Sequence, residues 1–173
     1  MMIEIQEVTI NEILPLQEIG IQTFSETFSA SNTEENMSNY LKEGFSLEKL
    51  TGELNNVDSK FFFALDKGRV IGYLKLNFGD SQTELKDYKA LEIERIYVLN
   101  EYHGKKVGQL LYDKAIQIAT QMQVDYVWLG VWEENKRALS FYTKNGFVAF
   151  DKHLFKLGDD VQTDIMMKLQ LPK

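Results

Sequence analysis

The amino-acid sequence predicts a single mixed α/β domain, and three observations predict it. Its 173 residues are enough to bury one sizeable core and too few to require two. Apolar runs of strand type are interleaved with stretches whose apolar residues recur every three or four positions. The resulting order is strand, three helices, two strands, strand, helix, strand, helix, two strands. Finally, the stretch 91–109 passes from a β-branched and aromatic strand into a loop of two glycines and two lysines that opens a long amphipathic helix. No repeat, low-complexity tract or linker breaks the order, so residues 1–173 are expected to form one domain.

Taken in order, Ile3, Ile5 and Val8 mark a first strand of imperfect alternation. Over 10–28, residues Ile13, Leu16, Gln17, Gly20, Phe24 and Phe28 fall on one helical face. Asn32 with Glu35 three residues on has capping-box spacing, in which each side chain satisfies a free N–H near the other. Met37, Tyr40 and Leu41 give the helix so opened an apolar stripe that ends at Gly44, and Leu47, Leu50 and Leu54 predict a further helix over 46–54. The apolar run 61–65, a turn at Lys67-Gly68 and the run 70–76 predict a hairpin. The polar segment 79–89, with Asp80, Glu84 and Asp87, reads as a loop bordering the substrate.

After the strand over 91–98, residues Val107, Leu110, Leu111, Ala115, Ile118, Ala119 and Met122 repeat as the buried face of a long helix. A strand over 126–131 and the polar turn Glu133-Glu134-Asn135 lead to a helix over 136–144, which Asn145-Gly146 stops as a left-handed C-terminal cap. Strands over 147–154 and 162–171 close the chain.

Composition excludes several chemistries. The chain has no cysteine, so a disulfide, a thiolate nucleophile and a zinc finger are all out of reach, which fits a reducing cytoplasm. His103 and His153 are the only imidazoles, too few to lead one to expect a metal. No basic-then-apolar leader and no apolar run of membrane-spanning length is present, so a cytoplasmic protein without a membrane partner is expected. A net charge of −7 and a pI near 4.9 oppose direct nucleic-acid binding and favour a cationic small molecule.

The loop at 103–109 has the makings of an anion site. A helix N-terminus carries unpartnered N–H groups and partial positive charge, Gly104 and Gly108 allow close approach, and Lys105 and Lys106 add charge. A tight turn with two solvated lysines reads equally well. Neither the three-glycine dinucleotide fingerprint nor a phosphate loop ending in Lys-Ser or Lys-Thr is present.

The discriminating residues lie further on. Gly130-Val131-Trp132-Glu133-Glu134-Asn135-Lys136-Arg137-Ala138 runs into Leu139-Ser140-Phe141-Tyr142-Thr143-Lys144-Asn145-Gly146-Phe147. This order of Asn, basic turn, Ala, Phe-Tyr and Gly-Phe resembles the GCN5-related N-acetyltransferase (GNAT) superfamily. The pyrophosphate loop of that superfamily usually reads Gln or Arg, x, x, Gly, x, Gly or Ala. Here His103 takes the leading position and Lys106 that of the first glycine, a place lysine fills readily at negative φ. Thr23-Phe24, Thr27-Phe28, Glu35-Asn36-Met37, the strand from Leu91 to Tyr97, Trp128 to Glu133 and Gln162-Thr163-Asp164 extend the resemblance, over nearly the full length, to PaiA-type polyamine acetyltransferases.

The resemblance implies the GNAT fold, a mostly antiparallel mixed sheet with a central splayed parallel strand pair, flanked by helices. It implies acetyl-CoA as co-substrate, no metal, and direct transfer in a ternary complex to a primary amine of spermidine or spermine. It places the pantetheine arm on Ile96, Tyr97 and Val98, and the pyrophosphate on His103, Gly104, Lys105, Lys106, Val107, Gly108 and Gln109. Asn135 would bond the arm, although it reads equally as a helix N-cap. Tyr142 would protonate the departing thiolate, although a core tyrosine needs no such role, and Lys144 would reach the adenosine phosphates.

An attacking amine must be neutral, so a proton acceptor is needed beside the thioester. Glu92 and Glu94 lie two apart and share a face of a regular strand, where they can bind a cation and relay its proton; an exposed strand edge is the other reading. Glu26, Glu34 and Glu35 are candidates for the distal charges of a polyamine, and solvated helix faces explain them equally well. Without cysteine an acyl-cysteine intermediate is excluded. The alternatives are acetylation of a protein N-terminus or another small amine, or an acetyl-CoA-binding regulator, as the repressor role attached to some PaiA-type members implies. A monomer or homodimer is expected.

Overall fold

The computed structural model describes residues 1–172. Among them, seven strands form one sheet: β1 (Ile3–Glu7), β2 (Ser59–Asp66), β3 (Arg69–Asn77), β4 (Ala90–Val98), β5 (Tyr126–Trp132), β6 (Val148–Leu157) and β7 (Asp160–Gln170), in the spatial order β1-β2-β3-β4-β5-β7-β6. The helices are α1 (Ile13–Phe28), α2 (Glu34–Gly44), α3 (Leu47–Asn55), α4 (Val107–Gln121) and α5 (Lys136–Lys144). Neighbouring strands are antiparallel except β4 and β5. That pair is parallel because α4 carries the chain back across the sheet between them. The mixed sheet with one parallel pair is the expected architecture.

Local boundaries follow local hydrogen bonds. The first helical stretch opens as a tighter turn, Ile10–Glu12, closed by a reciprocal Thr9–Glu12 capping box, before α1 begins. The cap of α2 is Thr33, whose hydroxyl accepts the Asn36 N–H, and the expected Asn32–Glu35 box does not form. Asn32 instead turns its amide back toward the Phe28 carbonyl. Ser46 caps α3 by accepting the Lys49 N–H. Strands β6 and β7 run past the expected ends at Leu154 and Gln162 because ladder pairing continues from Phe155–Gln162 to Leu157–Asp160, where polar Lys156, Asp160 and Gln162 interrupt the apolar pattern but their backbones still pair.

The two faces of the sheet are covered differently. Phe61, Phe63, Tyr73 and Lys75 share one face by register, and α3 reaches it through the Glu53–Lys75 ion pair. Gly20 of α1 admits the Phe45 ring, since a Cβ there would lie 2.5 Å from it, and Phe45 in turn lies under the Arg95 guanidinium. Helix α4 covers the other face, where Lys114 lies over Phe62. Buried Leu, Ile and Phe side chains of both layers form the main core.

Two irregularities of β4 open the sheet and shape its carboxylates. Lys75 pairs with Arg95 but Leu76 pairs with Ile93, so Glu94 is the extra residue of a β-bulge. The regular strand expected over 91–98 is therefore interrupted, and Glu94 and Arg95 both turn toward α3. In addition, β4 pairs with β5 only from Ala90–Tyr126 to Ile93–Leu129. Beyond Ile93, β4 stays with β3 while β5 stays with β7, and a wedge opens between them.

Candidate active site

Two cavities meet in this wedge. The inner one, of about 330 Å³, is bordered by Phe24, Phe28, Tyr40, Tyr73, Trp132 and Phe155 and carries four carboxylates, Glu84, Glu92, Glu94 and Asp164. The outer one, of about 510 Å³, lies against Ile96, Tyr97, Val98, the loop His103–Gln109 except Lys105, and Arg137, Phe141 and Lys144. Thr27, Ile96, Tyr97, Asn135, Ala138 and Tyr142 border both.

The carboxylates of Glu92 and Glu94 do converge, held by groups that the sequence reading did not single out. The buried amide of Asn77 donates to Glu92 at 2.9 Å and to Glu94 at 2.7 Å. Glu92 also accepts the Thr83 N–H at 2.8 Å and its hydroxyl at 2.6 Å. Thr83 belongs to the segment 79–89, which is pinned against the sheet: the Trp128 indole N–H donates to Gln82, whose amide donates to Gly79 and Asp87 carbonyls.

Their proton affinities diverge. Burial raises the pKa of Glu92 above its ordinary 4.5, and the Asn77 and Thr83 hydrogen bonds offset this only in part. Burial also acts on Glu94, but Arg95 at 3.1 Å and Lys75 at 2.7 Å outweigh it and hold the carboxyl at about 2. Glu53 completes the network, 3.3 Å from Lys75 and 3.2 Å from Arg95. Glu92 is thus the more basic of the two carboxylates, and the two cationic neighbours of Glu94 keep it ionised.

The outer cavity is a backbone construction. No side chain caps the N-terminus of α4, so the N–H groups of its first turn are open to an anion. Lys106 precedes it at φ 65°, ψ 17°, which corrects the expectation of negative φ: the loop keeps a left-handed turn at the position the superfamily gives to glycine. Gly104 has φ 80° with open space where a Cβ would stand. The edge of β4 from Glu94 to Val98 is not paired with β5, and its Ile96, Tyr97 and Val98 border the cavity. These groups fit a pantetheine arm and a pyrophosphate. His103 is committed elsewhere, its Nε2 bonded to the Val98 carbonyl at 2.9 Å, which ties the loop to the strand end. Lys105 turns back over the Tyr102 ring. Gln109 bonds Asp113 and, at 3.5 Å, Asn145.

At the junction, Asn135 caps α5 by accepting the Ala138 N–H at 3.1 Å and borders both cavities. Tyr142 is packed against Phe141 and Phe147. Burial, helped by Tyr112, pushes its phenol well above the usual 10, so it carries its proton at neutral pH.

The early glutamates lie elsewhere. The Glu26 carboxylate accepts the Asn100 N–H at 2.9 Å, and Glu34 and Glu35 are exposed in the first turn of α2, outside the groups bordering either cavity. Missed by the sequence reading were Asn77, Lys75, Thr83, Glu53 and Arg137. The available signal for two of them was a polar alternation, Lys75 and Asn77 between Leu74, Leu76 and Phe78, in a strand buried on both faces. Among the described residues no group of three or more His, Cys, Asp or Glu is placed to hold a metal, and no helix is long and apolar enough to cross a membrane.

Comparison with known proteins bears on this geometry. The model of the acetyltransferase (GNAT) family matches residues 21–147. The chain is 37% identical over 169 residues, 98% of each chain, to the uncharacterized N-acetyltransferase in the pepI 3′ region of Lactobacillus delbrueckii subsp. lactis. It is 30% identical over 155 residues, 87% of this chain and 91% of the relative, to spermidine N(1)-acetyltransferase of Thermoplasma acidophilum. Among solved structures, the PaiA N-acetyltransferase of Thermoplasma acidophilum in complex with coenzyme A superposes with a TM-score of 0.81 at 27% identity, covering 99% of this chain and 100% of that one.

Proposed function

The chain belongs to the acetyltransferase (GNAT) family and is an acetyl-CoA-dependent N-acetyltransferase; from that premise we propose that it acetylates a primary amine of a polyamine, spermidine or spermine, by direct attack. The observation that carries the substrate reading is the inner cavity, four carboxylates among aromatic rings at the inner end of a cofactor channel. Anionic groups and ring faces both attract ammonium. The net charge of −7 and the similarity to a spermidine acetyltransferase support the same reading.

In this reading the outer cavity holds acetyl-CoA, which supplies an activated thioester at the junction. Ile96, Tyr97 and Val98 offer backbone groups to the pantetheine arm, and Asn135 offers its free amide N–H. The N–H groups of Gly104 and of Lys106 to Gln109 cradle the pyrophosphate, with Lys106, Arg137 and Lys144 as counter-charge. Glu94, ionised and held by Lys75 and Arg95, fixes the Asn77 amide that it shares with Glu92. Glu92 takes one proton of the incoming ammonium, which frees the lone pair for attack on the thioester carbon. As the C–S bond breaks, Tyr142 gives its proton to the departing sulfur, and the second proton lost by the nitrogen restores the phenol. Nothing in this sequence of proton movements requires a covalent enzyme intermediate.

The test is thiol release from acetyl-CoA. Turnover is expected to be much faster with spermidine or spermine than with lysine peptides, N-terminal peptides or aminoglycosides; equal or absent polyamine turnover would remove the substrate. Tyr142→Phe should lower kcat roughly 100-fold with KM for acetyl-CoA nearly unchanged, and an unaltered kcat would remove the acid.

A further inference from the structure

Of the four carboxylates on the inner cavity, three already have partners. Glu94 is held by Lys75 and Arg95, Glu92 by Asn77 and Thr83, and Glu84 lies 3.0 Å from His153 Nδ1. Asp164 enters none of the ion pairs among the described residues. It is half-buried on β7, opposite Trp132 on one side and His153 on the other. Burial raises its pKa above the ordinary 3.8, and His153 offsets this only in part, so a cation brought to it would relieve an unfavourable burial.

The surroundings of Asp164 suit that cation. Trp132 lies 5.2 Å from Phe28, Phe28 lies 6.0 Å from Phe155, and Phe155 lies 5.8 Å from Tyr40, ring centre to ring centre, and all four border the cavity. Across the cavity the buried Tyr73 hydroxyl lies beside the Arg95 guanidinium. Gly130, on the strand between Glu92 and Asp164, keeps the way clear: its Cβ would stand 3.7 Å from the Asp164 carboxylate. Glu92 and Asp164 lie two strand spacings, roughly 10 Å, apart across the sheet and four residues, roughly 13 Å, apart along it, since Glu92 pairs with Trp128 and Trp128 with Lys168.

We propose that Asp164 and the ring cage beside it form a second cation subsite, which takes the non-reacting ammonium of an aliphatic diamine or polyamine while the reacting amine lies by Glu92 and Tyr142. The inference rests on the inner cavity being the acceptor site and adds what selects the acceptor: a second positive charge at the far end of an aliphatic spacer, which a monoamine lacks.

The test pairs binding with turnover. Spermidine binding is followed by quenching of tryptophan fluorescence, to which Trp132 in the cage reports, and turnover is compared between spermidine and n-butylamine. Asp164→Asn is expected to weaken spermidine binding tenfold or more and to lower the spermidine-to-butylamine ratio of kcat/KM by a similar factor, chiefly through KM. Asp164→Glu, which keeps the charge, should retain most of both and so controls for a folding defect. Wild-type protein that acetylates spermidine while Asp164→Asn leaves binding and ratio unchanged would overturn the subsite and leave the reaction standing. Spermidine binding that depends on Asp164 without acetyl transfer would uphold the subsite and overturn the reaction. A wild type that neither binds nor acetylates spermidine would overturn both.

Discussion

The inner and outer cavities are neighbours built from different materials. The inner one is made of side chains: a buried chain of Glu53, Lys75, Arg95, Glu94, Asn77 and Glu92 runs beneath it, each group satisfied by the next. The outer one is made of backbone, namely an uncapped helix start, a left-handed turn and an unpaired strand edge. Each material has its own vulnerability. Side-chain chemistry fails when one partner is removed, whereas a backbone cradle survives substitution so long as the turn keeps its shape. Lys106 in place of glycine is an instance of that tolerance.

The largest expected effect is on the inner side. Lys75→Met leaves Glu53 and Glu94 sharing Arg95 alone in a buried setting, so unfolding in urea should report a loss of about 3–5 kcal/mol. A loss under about 1 kcal/mol would mean that the network is hydrated, and the contrast would weaken. Because the Glu94 pKa is depressed in the folded state, its contribution is full above about 4.5 and is lost as pH falls toward about 2. In Lys75→Met that acid loss should be smaller and complete at higher pH, because the folded pKa of Glu94 moves back toward 4.5.

Glu92 has the opposite sign. Its folded pKa is raised, so its contribution to stability is present below 4.5 and is lost as pH rises through the folded value. Activity needs the same group deprotonated, so kcat/KM should fall on the acid side at a pH above 4.5. Glu92→Gln is expected to lower kcat roughly 100-fold and to abolish that acid limb. A limb that persists in the variant would assign the proton to another carboxylate.

The smallest effect belongs to the outer cavity. Lys106→Gly should relieve the left-handed strain and raise stability by about 0.5–1 kcal/mol, net of glycine's entropy, measured by the same denaturation. KM for acetyl-CoA should move less than about threefold. A tenfold rise would mean that the ammonium, not the backbone, holds the pyrophosphate, and the distinction between the two cavities would fail.

Asn135 and Tyr142 stand out only through resemblance to the family, whereas local sequence suffices for the mixed α/β fold class, the helix over 136–144 to the residue and the glycine-containing loop. These are legible because local periodicity, caps and turns are written in neighbouring residues. How Glu92 and Glu94 differ is settled only in three dimensions. Two glutamates of one strand read alike in sequence, and a bulge at Glu94, a lysine nineteen residues earlier and an arginine next door separate their proton affinities. Asp164 likewise becomes conspicuous only when β7 is laid beside β5 and every other carboxylate on the cavity proves to be held. The left-handed turn at Lys106 escaped for a related reason: a side chain does not announce positive φ, which the loop's closure onto α4 and the His103–Val98 bond impose from outside. Charge state and strain are set by what surrounds a residue, and the sheet alone brings those surroundings together.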